Sequence, residues 1–273
     1  MIFGSCYNRM TFLCHRSIMT FFHRFAVPES GTVIKIQKMK KYIIIAMYLL
    51  AAVSCGRSEG EFSKQELAVL NSADSIMRVL TIDDAADLMT LRAVSRDFSA
   101  EALLSEDFSR LSELMVATVT HPSQDGVGIA GPQVGLNRRV VAVQRFDKEP
   151  VMNASSKLDH PFEVYPNIRI VCLSDSTAYG AEGCLSVPDM RADVLRSQEV
   201  VVEYADIQQL KENRLRGSSQ TSSDPYPSNA GSEDRHPAGE AIPMVRDTVS
   251  GFTAVIFQHE IDHLEGILYI DRL

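Results

Sequence analysis

The stretch Gln258-His259-Glu260-Ile261-Asp262-His263-Leu264-Glu265-Gly266 constrains this chain more than any other. It spells H-E-x-x-H inside an apolar run, Phe252 to Leu264, that contains neither Gly nor Pro and so favours a helix. Side chains four apart on a helix stand one above the other on the same face. His259 and His263 can therefore aim both imidazoles at one metal ion. Glu260 is rotated to the side, where a carboxylate can take a proton from water activated by that ion. Two ordinary histidines on a buried helix would share this spelling, so the metal reading needs further ligands.

Three protein ligands are usual at a catalytic metal. The longer pattern H-E-x-x-H-x-x-G-x-x-H holds as far as Gly266 and then fails, because Tyr269 stands where its last His should be. With Leu273 closing the sequence, the third ligand is expected upstream. Cys172, Cys184, His121, His160, His236 and many carboxylates are available. Cys184 has the most suggestive context, Glu182-Gly183-Cys184-Leu185-Ser186-Val187-Pro188: the glycine permits close backbone approach and the proline ends regular pairing. A free cysteine is also often just a small buried hydrophobe, and both readings stay open at this point.

At 273 residues, 45% hydrophobic and 23% charged, the chain has the composition of a globular protein. Five cysteines do not make a disulfide framework. Cys6, Cys14 and Cys55 lie in or beside an N-terminal segment, and a bridge between Cys172 and Cys184 would remove the candidate ligand. Residues 39–55 read Met-Lys-Lys, an apolar run from Tyr42 to Val53, then Ser54-Cys55, the layout of a secretory signal. Its end, Ala52-Val53-Ser54-Cys55, resembles a bacterial lipoprotein signal whose cysteine is lipidated, which would attach the protein to a membrane through Cys55. The run is short for a transmembrane helix. Residues 1–38 carry no pattern and read as an extension ahead of a start at Met39. Removing residues 1–54 takes Lys plus Arg from 27 to 20 and Asp plus Glu from 35 to 34, so the net charge moves from −8 to −14. That acidity, with no basic stripe, excludes nucleic acid as the expected partner.

Ser63-Lys64-Gln65-Glu66 fits a capping box opening a helix, with Leu67, Leu70 and then Ile76 to Leu80 as its apolar face. A second helix, about 104–119, shows Leu104, Phe108, Leu111 and Met115 at helical spacing before His121-Pro122. The run Asp125-Gly126-Val127-Gly128-Ile129-Ala130-Gly131-Pro132-Gln133-Val134-Gly135 is too rich in Gly and Pro for a helix interior or a central strand. No G-K-[ST] follows, so a phosphate loop is disfavoured, and a loop admitting a peptide close to backbone fits better. Gln133 in it is either an ordinary loop residue or a donor to a developing oxyanion. Arg139 to Gln144, Phe162 to Leu173 and Glu199 to Tyr204 read as strands, and Ile242 to Val245 resumes one before the metal-motif helix. Between about 208 and 241 the composition turns to Ser, Gly, Pro, Asn and charge, which predicts a mobile insertion that makes His236 irrelevant to the metal.

Three segments now stand in order: G-V-G-I-A-G-P-Q at 126–133, E-G-C-L-S at 182–186 and Q-H-E-I-D-H-L-E-G at 258–266. Together they resemble the peptide deformylase family, over roughly Met77 to Leu273. The resemblance implies an α+β domain, spanning 56–273, with antiparallel sheets around a central helix bearing H-E-x-x-H. It implies Cys184, His259 and His263 as metal ligands, with Fe2+ the usual ion and Zn2+ or Ni2+ able to substitute. The implied reaction removes formate from an N-formylmethionyl peptide, with Glu260 as general base and acid. Gln133 and the Leu185 backbone N–H would hold the oxyanion. By the same analogy Gly128 lends backbone to the substrate, and Val127, Phe252, Val255, Ile256 and the stem of Arg191 line a methionine pocket. A monomer is expected.

Ile129 and Gly131 depart from the commoner Leu and Ala of the glycine-rich motif, and no helix follows Asp271-Arg272-Leu273 as it does in many relatives. The lipoprotein-like signal conflicts with a family whose substrates emerge in the cytoplasm. Two other readings compete: a zincin-like metallopeptidase, resting on H-E-x-x-H alone, and a non-catalytic peptide-binding envelope lipoprotein of the same fold. The early end and a cysteine ligand speak against the first; the complete set Gln133, Cys184 and Glu260 speaks against the second, since binding alone needs no general base.

Overall fold

The computed structural model describes residues 60–124, 126–152, 158–219 and 241–273. The extension 1–38, the signal segment 39–55 with Cys55, and His236 lie outside the described residues. Among the described residues no helix is long and apolar enough to cross a membrane.

Four helices come first: α1 (Lys64–Ser72), α2 (Ala85–Leu91), α3 (Ala100–Leu103) and α4 (Glu106–Val119). Each begins at a side-chain cap, from Ser63, Asp84, Ser99 and Ser105 respectively. The capping box at α1 is complete, with Ser63 N–H donating to Glu66 and Glu66 N–H to Ser63 Oγ. The stretch expected to extend this helix's apolar face, Ile76 to Leu80, is extended instead. Met77 N–H donates to Thr118 Oγ1 at 2.8 Å and Leu80 N–H to the Gln133 carbonyl at 2.8 Å. Tertiary partners thus claim the donors that a helix would have used.

The strands and remaining helices follow in order: β1 (Gly128–Ala130), β2 (Val140–Gln144), β3 (Val151–Met152), β4 (Leu158–Asp159), β5 (Phe162–Pro166), β6 (Arg169–Leu173), β7 (Thr177–Cys184), β8 (Val187–Ser197), β9 (Glu199–Ala205), α5 (Ile207–Ser219), β10 (Met244–Ser250) and α6 (Gly251–Leu264). They form antiparallel sheets in the orders β1-β2-β5 and β10-β9-β6, with β3-β4 and β7-β8 as two-stranded ribbons. The Gly-rich run thus supplies a short edge strand and a following 3-10 turn, Gly131–Val134, and not a wholly irregular loop. The strand expected over 162–173 is two strands of different sheets. The break is Asn167, at φ 52°, whose side-chain amide clamps Phe98 by accepting from its N–H and donating to its carbonyl. The stretch predicted to be an unstructured insertion from 208 is helical as far as Ser219 in α5; Asp206 caps it and fully buried Leu210 anchors it. One anchor makes no periodicity, which is why the pattern stayed silent.

Alternation along β2 divides the core. Val140 and Ala142 face a cluster with Leu70, Leu111 and Met115 of the helical layer, whereas Val141 and Val143 face Phe257, Ile261 and Leu264 of α6. All five residues of β2 are buried for this reason. Helix α6 packs against β1, β2, β6, β8, β9 and β10, and from Ile256 to Leu264 every residue is buried. At its C-terminal end Gly266 has φ 71°, and a Cβ there would meet the Arg92 carbonyl oxygen at 2.3 Å.

Candidate metal centre

Cys184 ends β7, and the two-residue turn Leu185-Ser186 carries the chain straight back into β8. Across from it α6 presents His259 and His263 one turn apart. Ligand atoms of Cys184, His259 and His263 all lie within 4.8 Å of one another. Cys184 Sγ stands 3.2 Å from His263 Nε2. Two ligands of a tetrahedral site, each about 2.0–2.3 Å from the cation, lie roughly 3.5 Å apart, so this spacing suits a shared ion. Cys184 is a free thiol, which removes a bridge to Cys172 as an alternative.

The surroundings fit a cation. Glu182 sits two residues before Cys184, on the same side of β7, and its Oε2 lies 2.7 Å from His259 Nδ1. That bond fixes the tautomer and leaves Nε2 of His259 to coordinate. Glu182 is itself held by Arg196 Nε and Nη2, at 2.7 and 3.0 Å, and Arg196 Nη1 donates to Asp262 at 2.6 Å. Burial opposes ionisation of Glu182, yet the bonds from His259 and Arg196 bring its pKa down to about 2. Burial likewise opposes a charged His259, but its bonds with Cys184 and Glu182 push it up to about 10. Burial and then the neighbouring charge of His259 hold His263 well below its ordinary value. A cation arriving among these atoms would displace the proton that His259 holds.

Glu260 has a different setting. Its Oε2 is buried with no hydrogen-bond partner among the described residues, and burial pushes its pKa up to about 7, with His259 opposing and Glu182 adding. The carboxylate lies so close to β1 that a Cβ on Gly128 would fall 2.4 Å from Glu260 Oε1. What needs the glycine here is the carboxylate itself. Gln133 lies in the 3-10 turn after β1. Its Oε1 accepts from Ala130 N–H at 2.8 Å, which turns Nε2 toward Ser186 Oγ at 3.3 Å and Cys184 Sγ at 3.6 Å. The amide donor therefore faces the ligand cluster.

These groups open on a cavity of about 850 Å³, within the range that encloses a small ligand. Gln133, Cys184, Leu185, His259 and Glu260 line it, as do Val127, Gly128, Arg191, Phe252, Val255 and Ile256. His263 stands behind them, 1% exposed. His121 and His160 hydrogen-bond to Ser123 and to the Lys148 carbonyl and take no part. Sequence reasoning gave no role to Glu182, Arg196, Asp262 or Tyr269. Glu182 could be found only once β7 was known, because its contact with His259 follows from where that strand meets α6.

The sequence model described as polypeptide deformylase matches residues 76–218 and 242–273. The chain belongs to the peptide deformylase family. The peptide deformylase of Leptospira biflexa is 29% identical over 183 residues, covering 67% of this chain and 82% of the relative. Peptide deformylase 2 of Gloeobacter violaceus is 31% identical over 183 residues, covering 67% and 73%. A class I type b peptide deformylase from Acinetobacter baumannii, crystallised with Met-Ala-Ser, superposes with a TM-score of 0.51 at 30% identity, covering 72% of this chain and 98% of that one. Deformylases are metal-dependent hydrolases that remove the N-formyl group from newly made peptides, and this chain is such an enzyme. The α+β fold expected from the three motifs is the fold observed.

Proposed function

We propose that Cys184, His259 and His263 hold one divalent cation, that Glu260 carries the protons of deformylation, and that Gln133 and the Leu185 backbone N–H receive the charge developing on the formyl oxygen. What supports this reading above all is the convergence of three ligand atoms within 4.8 Å beside a buried, unpartnered carboxylate oxygen. Ferrous iron is the proposed ion, with zinc or nickel able to replace it, since one thiolate and two imidazoles suit all three. When bound, the cation supplies Lewis acidity that polarises the formyl carbonyl and eases deprotonation of water.

The chain's own groups do the rest. Glu260 Oε2 accepts a proton as the water oxygen bonds to the formyl carbon. Burial, which raises its pKa, favours the protonated form from which the same group gives the proton back. Charge accumulates on the former carbonyl oxygen, toward which Gln133 Nε2 donates; its other end is already fixed by Ala130, so no reorganisation is needed. The C–N bond then breaks, formate leaves, and the proton on Glu260 passes to the departing amine. Gly128 offers backbone to the peptide, and Val127, Phe252, Val255, Ile256 and the Arg191 stem take the methionine side chain, a thioether against apolar walls. The Met-Ala-Ser found in the A. baumannii relative supports a peptide as the occupant.

The test is formate release from formyl-Met-Ala by anaerobically purified protein, with metal analysis of the same sample. Anaerobic handling protects a thiolate that oxidises readily. Formate release is expected in proportion to bound iron, and metal-loaded protein that releases none would refute the reading. We further propose that Cys55 carries a lipid anchor and that the enzyme is a monomer. Labelled palmitate should enter the wild type and not Cys55→Ala, and sedimentation should return the mass of one chain.

A further inference from the structure

The 3-10 turn Tyr269–Arg272 packs behind the ligand-bearing helix and reaches His259 by two separate routes. At one end Tyr269, 1% exposed, stacks its ring on the His259 imidazole, with centroids 5.9 Å apart and planes inclined by 24°. At the other end Arg272 grips both carboxylate oxygens of Asp262 through Nε and Nη2. Asp262 is shared with Arg196, Arg196 holds Glu182, and Glu182 lies 2.7 Å from His259 Nδ1. The side chains of Arg196, Glu182 and Asp262 are buried, whereas Arg272 is 40% exposed, so the relay runs from a cation at the surface to an imidazole in the interior.

An imidazole turns about a broad terminal torsion, so a backbone helix alone does not aim its nitrogen. The two routes remove different parts of that freedom. Stacking fixes the plane of the His259 ring; the bond at Nδ1 fixes its direction within the plane. Charge balance makes the second route depend on the turn. Glu182 and Asp262 are two buried carboxylates served by Arg196 and Arg272; without Arg272 the one guanidinium of Arg196 must balance both, which weakens its hold on Glu182. The Tyr269 hydroxyl has no hydrogen-bond partner among the described residues, so its ring is the part in use.

We propose that the turn Tyr269–Arg272 is a positioning element for the His259 ligand, acting through the Tyr269 ring and through the Arg272–Asp262–Arg196–Glu182 relay. This rests on the ligand set proposed above. The experiment measures Zn2+ affinity of the full chain by competition with a chromophoric chelator, well below the melting temperature. Arg272→Ala and Tyr269→Leu are each expected to weaken Zn2+ binding about 10–100-fold, the usual effect of losing an outer partner of a metal ligand. Tyr269→Phe, which keeps the ring, should bind like the wild type, and Arg272→Lys should recover part of the loss. Arg78→Ala, which breaks the remote pair with Asp87, should lower the melting temperature and leave Zn2+ affinity unchanged. Wild-type affinity in either Arg272→Ala or Tyr269→Leu would overturn the inference; if Tyr269→Leu does not fold, Arg272→Ala decides. Cys184→Ala separates the two levels: unchanged Zn2+ affinity there overturns the ligand set itself, while weakened binding there with unaffected turn variants overturns the turn's role alone.

Discussion

Among the described residues Arg138, Arg145 and Arg196 are almost wholly buried, and the first and the last of them end differently. Arg138, at the start of the sheet facing the helical layer, bonds both oxygens of Glu66 at 2.6 and 3.0 Å. It also donates to the Asp97 and Glu61 carbonyls and lies over the Phe98 ring. Arg196, beneath the metal motif, is as deeply buried, but its carboxylates pass contacts onward to His259 on one side and Arg272 on the other. Next to that second network Glu260 Oε2 and His263 Nδ1 are buried with no partner among the described residues, whereas both oxygens of Glu66 are taken. A buried ion pair that satisfies its own atoms holds a fold together. One whose carboxylates also hold a candidate ligand ties the fold to the site.

The contrast can be broken most directly at Glu260. Glu260→Gln should lower kcat/KM on formyl-Met-Ala by about 10²–10⁴-fold, the usual share of a proton-transfer residue, with Zn2+ affinity kept. Near-wild-type turnover would remove Glu260 from the chemistry. Gly128→Ala should cost on the order of 10² in kcat, because the added methyl would stand 2.4 Å from Glu260 Oε1 and must displace it. An unchanged kcat would mean that the carboxylate position is not critical.

On the other side of the comparison, Arg138→Met should destabilise the protein by about 3–5 kcal/mol in denaturant unfolding, since Glu66 is left buried and unpaired. Its kcat/KM at low temperature should stay at the wild-type value; a selective loss of activity would show that the two networks communicate. The smallest effect is the acid response. Burial would raise Glu66, but the bonds from Arg138 and Ser63 outweigh it and hold its pKa below the usual 4.5. A carboxylate depressed in the folded state contributes stability that is full above its unfolded pKa and is lost as the pH falls through its folded one. The melting temperature of the wild type should therefore fall more steeply below about pH 4.5 than that of Glu66→Gln. Parallel curves would show that the pair contributes no pH-dependent stability.

How far the site was legible depends on how locally each part is encoded. His259, Glu260 and His263 are fixed by one helical turn, and Gln133 and Cys184 each sit in a short run whose glycines and prolines stand out in the sequence. The hairpin β7–β8 left no comparable trace. Its first strand reads Thr-Ala-Tyr-Gly-Ala-Glu-Gly-Cys, mostly exposed and with two glycines, so no apolar alternation marks it; its continuous pairing with β8 holds it. Helix α5 hangs on the single anchor Leu210, and Ile76 to Leu80 is drawn out of a helix by Thr118 and Gln133, distant in sequence.

Residue chemistry and spacing alone determined which side chains can bind a cation, which carboxylate stands beside it, and that the helix carrying them is largely apolar. Only tertiary contact decided that Glu182, Arg196, Asp262 and Arg272 form one relay, that Tyr269 lies flat against His259, and that Gly128 makes room for Glu260. The reason is physical. A helical turn or a glycine acts on its neighbours through backbone geometry, which local spelling records. A stacked ring or a shared guanidinium depends on where separate elements meet, and that is set by the packing of the whole core.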